Sequence, residues 1–218
     1  MLSNSDKLSI KLKDPHMHNV LVNHWTRNTN FQSITFLIRN EENRKQTLMI
    51  AELQSGIGIF IKTAAGKPIM TVRTPNSSDS LGKIMHPAQA TLYKIVKTIA
   101  PVGEHYLVLK TPTQEPAMRI EKVLVSMYPI GKAVGLIGTS CVYWLKRMDG
   151  TILGYIRPKL VHKSNTLVLK FSSTEKDEQT RAMMLGVTML FMITEAYPQL
   201  RVMLEESVKK NDPLRRYI

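Results

Sequence analysis

One run constrains the chain more than any other. From Ala182 to Thr194 it reads Ala-Met-Met-Leu-Gly-Val-Thr-Met-Leu-Phe-Met-Ile-Thr, without a single charge. A helix that crosses a bilayer needs about 20 apolar residues. This run is shorter, and Arg181 and Glu195 bracket it. Its length suits a helix buried on all sides within a fold. Ser172-Ser173-Thr174-Glu175-Lys176-Asp177-Glu178 leads into it with capping residues and early acids. Methionines fill irregular space, Gly186 marks one close backbone approach, and Pro198 ends or kinks the helix. The pattern predicts a helix over residues 178–197, followed by an amphipathic segment from Leu200 to Lys210 that Asn211-Asp212-Pro213 stops.

Upstream, from Ile34 to Phe171, short apolar runs alternate with turn chemistry. Ile34–Arg39 and Thr47–Ala51 flank Asn40-Glu41-Glu42-Asn43-Arg44, and Ile57–Lys62 and Ile69–Arg73 flank Ala64-Ala65-Gly66-Lys67-Pro68. Cys141–Lys146 and Ile152–Ile156 flank Met148-Asp149-Gly150-Thr151, where Asp-Gly signals a tight turn. Further strands are expected at Leu92–Val96, Tyr106–Lys110, Met118–Val125 and Leu167–Phe171. Many short strands at hairpin spacing predict an all-β sandwich or barrel. A faint repeat supports two similar halves: Phe60-Ile61-Lys62 through Arg73-Thr74-Pro75 parallels Trp144-Leu145-Lys146 through Arg157-Pro158. Leu81-Gly82-Lys83-Ile84 likewise echoes Leu153-Gly154-Tyr155-Ile156.

At 218 residues, 43% hydrophobic and 22% charged, the chain has the material for one domain with a substantial core, and disorder is not its default. A net charge of +13 is far from average and attracts polyanions such as nucleic acid, anionic headgroups or acidic proteins. The single cysteine, Cys141, excludes an intramolecular disulfide framework and a cysteine-rich metal site. The opening residues lack the apolar stretch of a secretory signal, and Asp6 and Asp14 argue against a mitochondrial presequence.

Strand hairpins followed by one all-apolar C-terminal helix are an unusual combination. Together with the wording of Leu153-Gly154-Tyr155-Ile156, Leu167–Phe171, Arg181–Gly186 and Phe191-Met192-Ile193, it resembles the phospholipid scramblase family, itself related to the tubby and plant LURP-one domains. Phe36–Asn40 through Ile50-Ala51-Glu52 looks like that family's first strand pair, and Ile69–Pro75 resembles its strand ending in Arg-Pro. The resemblance spans residues 30 to 197. It implies a closed, tubby-like barrel of about twelve strands around the apolar helix. The boundaries that follow are an N-terminal arm at 1–30, a barrel at 31–197 with its helix at 178–197, and an amphipathic basic tail at 198–218.

No catalytic constellation stands out: there is no phosphate-binding Gly-x-x-x-x-Gly-Lys loop and no Gly-x-Ser-x-Gly elbow, and an enzyme is not expected. His16 and His18 form the closest histidine pair, and Gly131–Gly135 reads as a glycine turn. Tubby domains bind phosphoinositide headgroups through lysine and arginine on the barrel surface, so the resemblance directs attention to Arg119, Lys122, Lys132, Lys146, Arg147, Arg157, Lys159 and Lys163 as headgroup-binding candidates. Lys209, Lys210, Arg215 and Arg216 form a second basic cluster. The family's calcium loop falls here on His162–Thr166, followed by Glu175, Asp177 and Glu178 as the acids that would supply oxygens. Calcium needs six or more, and His162 and Lys163 work against it. No cofactor is therefore expected, Ca2+ entering only through the resemblance.

The expectation is thus a scramblase-like protein at a membrane, intracellular and either peripheral or cytoplasmic, that binds anionic phospholipids, with scrambling as the activity the resemblance implies. The alternative is a tubby-like nucleic-acid-binding or nuclear adaptor protein, against which stands an aromatic content of only 6%. A protein-interaction module without a ligand of its own is the third.

Overall fold

A computed structural model describes residues 2, 5–13, 34–43, 46–54, 57–74, 79–99, 105–123, 128–133, 142–159 and 165–210. Twelve strands close into one antiparallel barrel: β1 (Lys7–Leu12), β2 (Ile34–Asn40), β3 (Thr47–Gln54), β4 (Gly58–Thr63), β5 (Pro68–Arg73), β6 (Ser80–Met85), β7 (Thr91–Thr98), β8 (His105–Lys110), β9 (Pro116–Lys122), β10 (Tyr143–Lys146), β11 (Ile152–Pro158) and β12 (Leu167–Phe171). Each strand pairs with its neighbour in sequence, and β1 closes the ring against β12. A short helix α1 (Tyr128–Ala133) stands between β9 and β10, where a glycine turn was expected. After β12 come helix α2 (Glu178–Phe191), a π-helical turn (Met192–Ala196) and helix α3 (Pro198–Lys210).

The barrel follows from strand alternation, which sends every second side chain inward. Leu8, Ile10 and Leu12 point in beside Phe36 and Ile38; Met49, Ala51 and Leu53 continue the belt to Ile59, Ile61, Met70 and Val72, and all of these are buried. Helix α2 fills the interior, with Met183 to Phe191 buried without a break. It is the central helix anticipated over 178–197, except that its last turn widens into a π-helix before Pro198 opens α3. Leu200, Met203 and Leu204 of α3 are buried as well, so the segment expected to be a basic tail begins as part of the core.

Small residues let the helix sit this close to its wall. A Cβ on Gly154 would lie 2.6 Å from Met184 Cε and closer still to the Lys170 carbonyl, and one on Gly82 would lie 2.6 Å from Leu190 Cδ2. The Leu-Gly-x-Ile echo thus has a physical basis: in both β6 and β11 the glycine leaves room for α2. The hairpin repeat has another. β4 and β5 stand six strands before β10 and β11, half of the twelve-strand circuit.

The first strand corrects one boundary. Residues 1–30 were expected to form an arm, yet β1 is a barrel strand, and its loss would open the ring between β2 and β12. Leu8, Ile10 and Leu12 alternate with Lys7, Ser9 and Lys11, a strand pattern carried by six residues. Just upstream, the buried Arg181 of α2 ties the chain down. Its Nη1 donates to the carbonyls of Leu2 (2.5 Å) and Ser5 (3.0 Å) and its Nε to that of Glu175 (2.8 Å), while Nη2 lies 3.8 Å from Asp6 Oδ1.

Candidate functional site

Antiparallel order puts the turns after β2, β4, β6, β8 and β10, and the link from β12 into α2, on one rim of the barrel. The start of α2 rises there, and beside it a cavity of about 550 Å3 opens. Its walls are the start of β7 (Leu92, Tyr93), the β8–β9 turn (Lys110, Thr111, Pro116, Ala117), the β10–β11 turn (Arg147, Met148) and the first turns of α2 (Asp177, Gln179, Thr180, Met183). The volume falls within the range of small-molecule and headgroup sites, roughly 300–1,000 Å3.

The charges in this cavity are fixed by the helix it borders. Asp177 is the N-cap of α2 and accepts the Thr180 N–H at 2.7 Å. Hydrogen bonds from the Thr180 side chain and then its backbone hold the Asp177 carboxyl below its ordinary value. The helix N-terminus is thereby already served by protein. Buried Glu175 accepts the Asp177 N–H through Oε1 (2.9 Å) and Arg147 Nη2 through Oε2 (3.0 Å). Gln179 Nε2 donates to the Tyr93 hydroxyl at 3.0 Å. Burial, reinforced by the Asp177 charge, raises the Tyr93 phenol above its usual value, while the Gln179 bond pulls the other way. Lys110 is exposed, and among the described residues it has no carboxylate partner. An anion entering this cavity would meet Lys110 and the outer side of Arg147 on the hairpin side, with the capping Asp177 carboxylate on the helix side and Leu92, Met148 and Met183 as an apolar wall.

The eight cations singled out from sequence do not assemble into one site. Arg119, Lys146 and Arg147 lie towards the hairpin rim, while Lys122, Arg157 and Lys159 lie towards the opposite one, from which α3 leaves. Lys132 is exposed on α1, and Lys163 lies outside the described residues, as do His162, Cys141, His16 and His18. Five of the eight face carboxylates. Glu121 takes both Lys146 (2.5 Å) and Arg119 (2.6 Å), and the hydrogen bond from Lys146 is the main reason its carboxyl is held low. Lys159 pairs with Glu41 at 2.7 Å, Arg147 with Glu175, and Lys122 lies 3.9 Å from Glu195. Arg157 Nη1 donates to the Pro158 carbonyl at 3.0 Å.

The acids considered for calcium are similarly placed in structural roles: Glu175 and Asp177 hold the α2 start, and Glu178 is exposed on its first turn. Among the described residues, no three His, Cys, Asp or Glu side chains gather in a way that could hold a metal ion. None of the described helices is long and apolar enough to cross a membrane.

Sequence reasoning passed over Lys110, which ends a predicted strand, and Lys7 and Lys170, which flank inward apolar positions. It also read Tyr143-Trp144 only as part of an apolar strand. In a half-buried strand two adjacent aromatics face opposite ways, and that alternation was the available signal. Compared with protein-family models, with curated proteins and with solved structures, the chain matches none.

Proposed function

We propose that this chain is a scramblase-like, tubby-related peripheral membrane protein that binds anionic phospholipid headgroups at its hairpin rim. The observation that carries the reading is the composition of the rim cavity, where Lys110 and Arg147 stand beside an apolar wall of Leu92, Met148 and Met183. Cations attract the phosphate, and the apolar wall suits the glycerol and upper acyl region that come with it. The net charge of +13 supplies the longer-range attraction to an anionic surface. The barrel interior is filled by α2, so the activity proposed is headgroup binding at the surface, and any scrambling would take place outside the barrel.

Co-sedimentation of the full chain with neutral, phosphatidylserine and phosphoinositide vesicles tests this, with duplex DNA as competitor. Binding confined to the anionic vesicles, retained in the presence of DNA and weakened several-fold by Lys110→Glu, is the expected result. Failure to sediment with any vesicle, or complete displacement by DNA, would sink the proposal. Because Glu175 and Asp177 are engaged at the start of α2, binding is expected to be equal in calcium and in chelator.

A further inference from the structure

We propose that the outer face of the β10–β11 hairpin is the surface that enters the bilayer interface, with Trp144, Met148 and Ile152 as its anchors; this rests on the lipid-binding reading above and names the face that serves it. Exposed large apolar side chains are few among the described residues, and three of them belong to this one hairpin: Trp144 at 37%, Met148 at 43% and Ile152 at 45% exposed. Tyr143, Leu145 and Ile156 of the same hairpin are buried and carry the inward half of the alternation. Leu153 is buried as well, as the extra residue where the register shifts beside Lys146.

Register then lays out the outward row. Ile152 stands opposite Lys146, and Trp144 opposite Tyr155. Tyr155 stands opposite Lys170, and Lys170 opposite Lys7. The Trp144 and Tyr155 rings meet edge to face with centroids 5.6 Å apart, and Lys170 Nζ lies 5.9 Å from the Tyr155 centroid. Among the described residues neither Lys7 nor Lys170 has a carboxylate partner. Aliphatic tip, aromatic pair and flanking cations thus follow one another across a single face. Aromatic rings with one polar end favour the headgroup level of a bilayer, and lysines beside them meet anionic phosphate. A nucleic acid would use the rings and the lysines but would leave Met148 and Ile152 in water. A lipid surface accommodates all of them, and Met148 also lines the rim cavity, which places a captured headgroup beside the inserted tip.

The sequence contains two tryptophans, Trp25 and Trp144. The full chain carrying Trp25→Phe therefore reports on Trp144 alone. On phosphatidylcholine–phosphatidylserine vesicles its emission should shift to the blue and be quenched by brominated acyl chains. In the otherwise natural chain, Ile152→Glu should weaken vesicle binding at least tenfold while the thermal midpoint stays unchanged. Vesicle binding with Trp144 unquenched, or with Ile152→Glu as tight as the parent, overturns this assignment and leaves the lipid reading standing. A parent chain that binds no vesicles removes both. Protection of Trp144 by duplex DNA in place of vesicles overturns the assignment in favour of a nucleic-acid face.

Discussion

The guanidinium carbon of Arg181 lies 4.6 Å from the centroid of the Phe171 ring, so a fully buried cation rests on the last residue of the barrel's last strand. The same side chain binds three backbone carbonyls, two of them upstream of β1. Removing it would take this donor from the Ser5 and Glu175 carbonyls and leave the Leu2 carbonyl with only the long 3.4 Å bond from the Ser5 N–H, at roughly 1–3 kcal/mol each. Arg181→Ala should therefore cost at least about 3 kcal/mol in urea unfolding, and Arg181→Lys should recover only part of it, because one ammonium cannot reproduce the fork. A loss below about 1 kcal/mol would contradict this role.

Two glycines should respond differently to the same added methyl. At Gly154 a Cβ would meet the Lys170 carbonyl, which belongs to the barrel wall. At Gly186 it would meet Ile84 Cδ1 at 2.6 Å, the far end of a side chain that can move. Overpacking costs about 1–3 kcal/mol, whereas replacing a helical glycine by alanine returns about 1 kcal/mol. Gly154→Ala should thus lower the urea midpoint clearly and Gly186→Ala only slightly. A charge at Gly186 should unfold the domain.

Stability should fall at both ends of the pH scale, for opposite reasons. Asp177 is held below the ordinary carboxylate value, so its contribution is complete above about pH 4 and is lost as pH falls through its folded value. Asp177→Asn keeps a capping side chain and should flatten the acid limb. Burial pushes Tyr197 up to about 12 from 10.0, so its contribution is complete below pH 10.0 and is lost as pH rises towards 12. Tyr197→Phe should flatten the alkaline limb. Urea midpoints measured across pH for the parent and both variants check each sign.

Tyr143 donates its hydroxyl to Glu195 Oε1 at 2.9 Å and stacks on Phe191, ring centroids 4.0 Å apart. Tyr143→Phe keeps the stacking and removes the hydrogen bond, at about 1.5 kcal/mol. Equal midpoints for the two proteins would show that Glu195 does not need the bond, Lys122 being within 3.9 Å.

Much of this architecture was legible because local signals agreed. Turn residues separated alternating strands, and an apolar run flanked by Arg181 and Glu195 announced the enclosed helix. What escaped was set by pairing across the chain. Nothing local tells Leu8, Ile10 and Leu12 that Leu167 and Leu169 await them. The candidate site was less legible still. Counting cations could not show that Glu121 engages two of them, or that Glu41 engages Lys159. Lys110 belongs to the rim cavity only because the β8–β9 turn meets the start of α2.

The closure of the ring between Lys7 and Lys170 also governs how such a protein is made. On the ribosome β1 emerges early and must wait for β12 and for α2, the element that fills the space it encloses. Until then a ring of Ile, Leu and Phe side chains has no interior to cover, and long-range β pairing is slow and exposed to aggregation. Maturation of this chain is accordingly a late, concerted event, and its yield in cells should depend on chaperones that shield the unfinished ring.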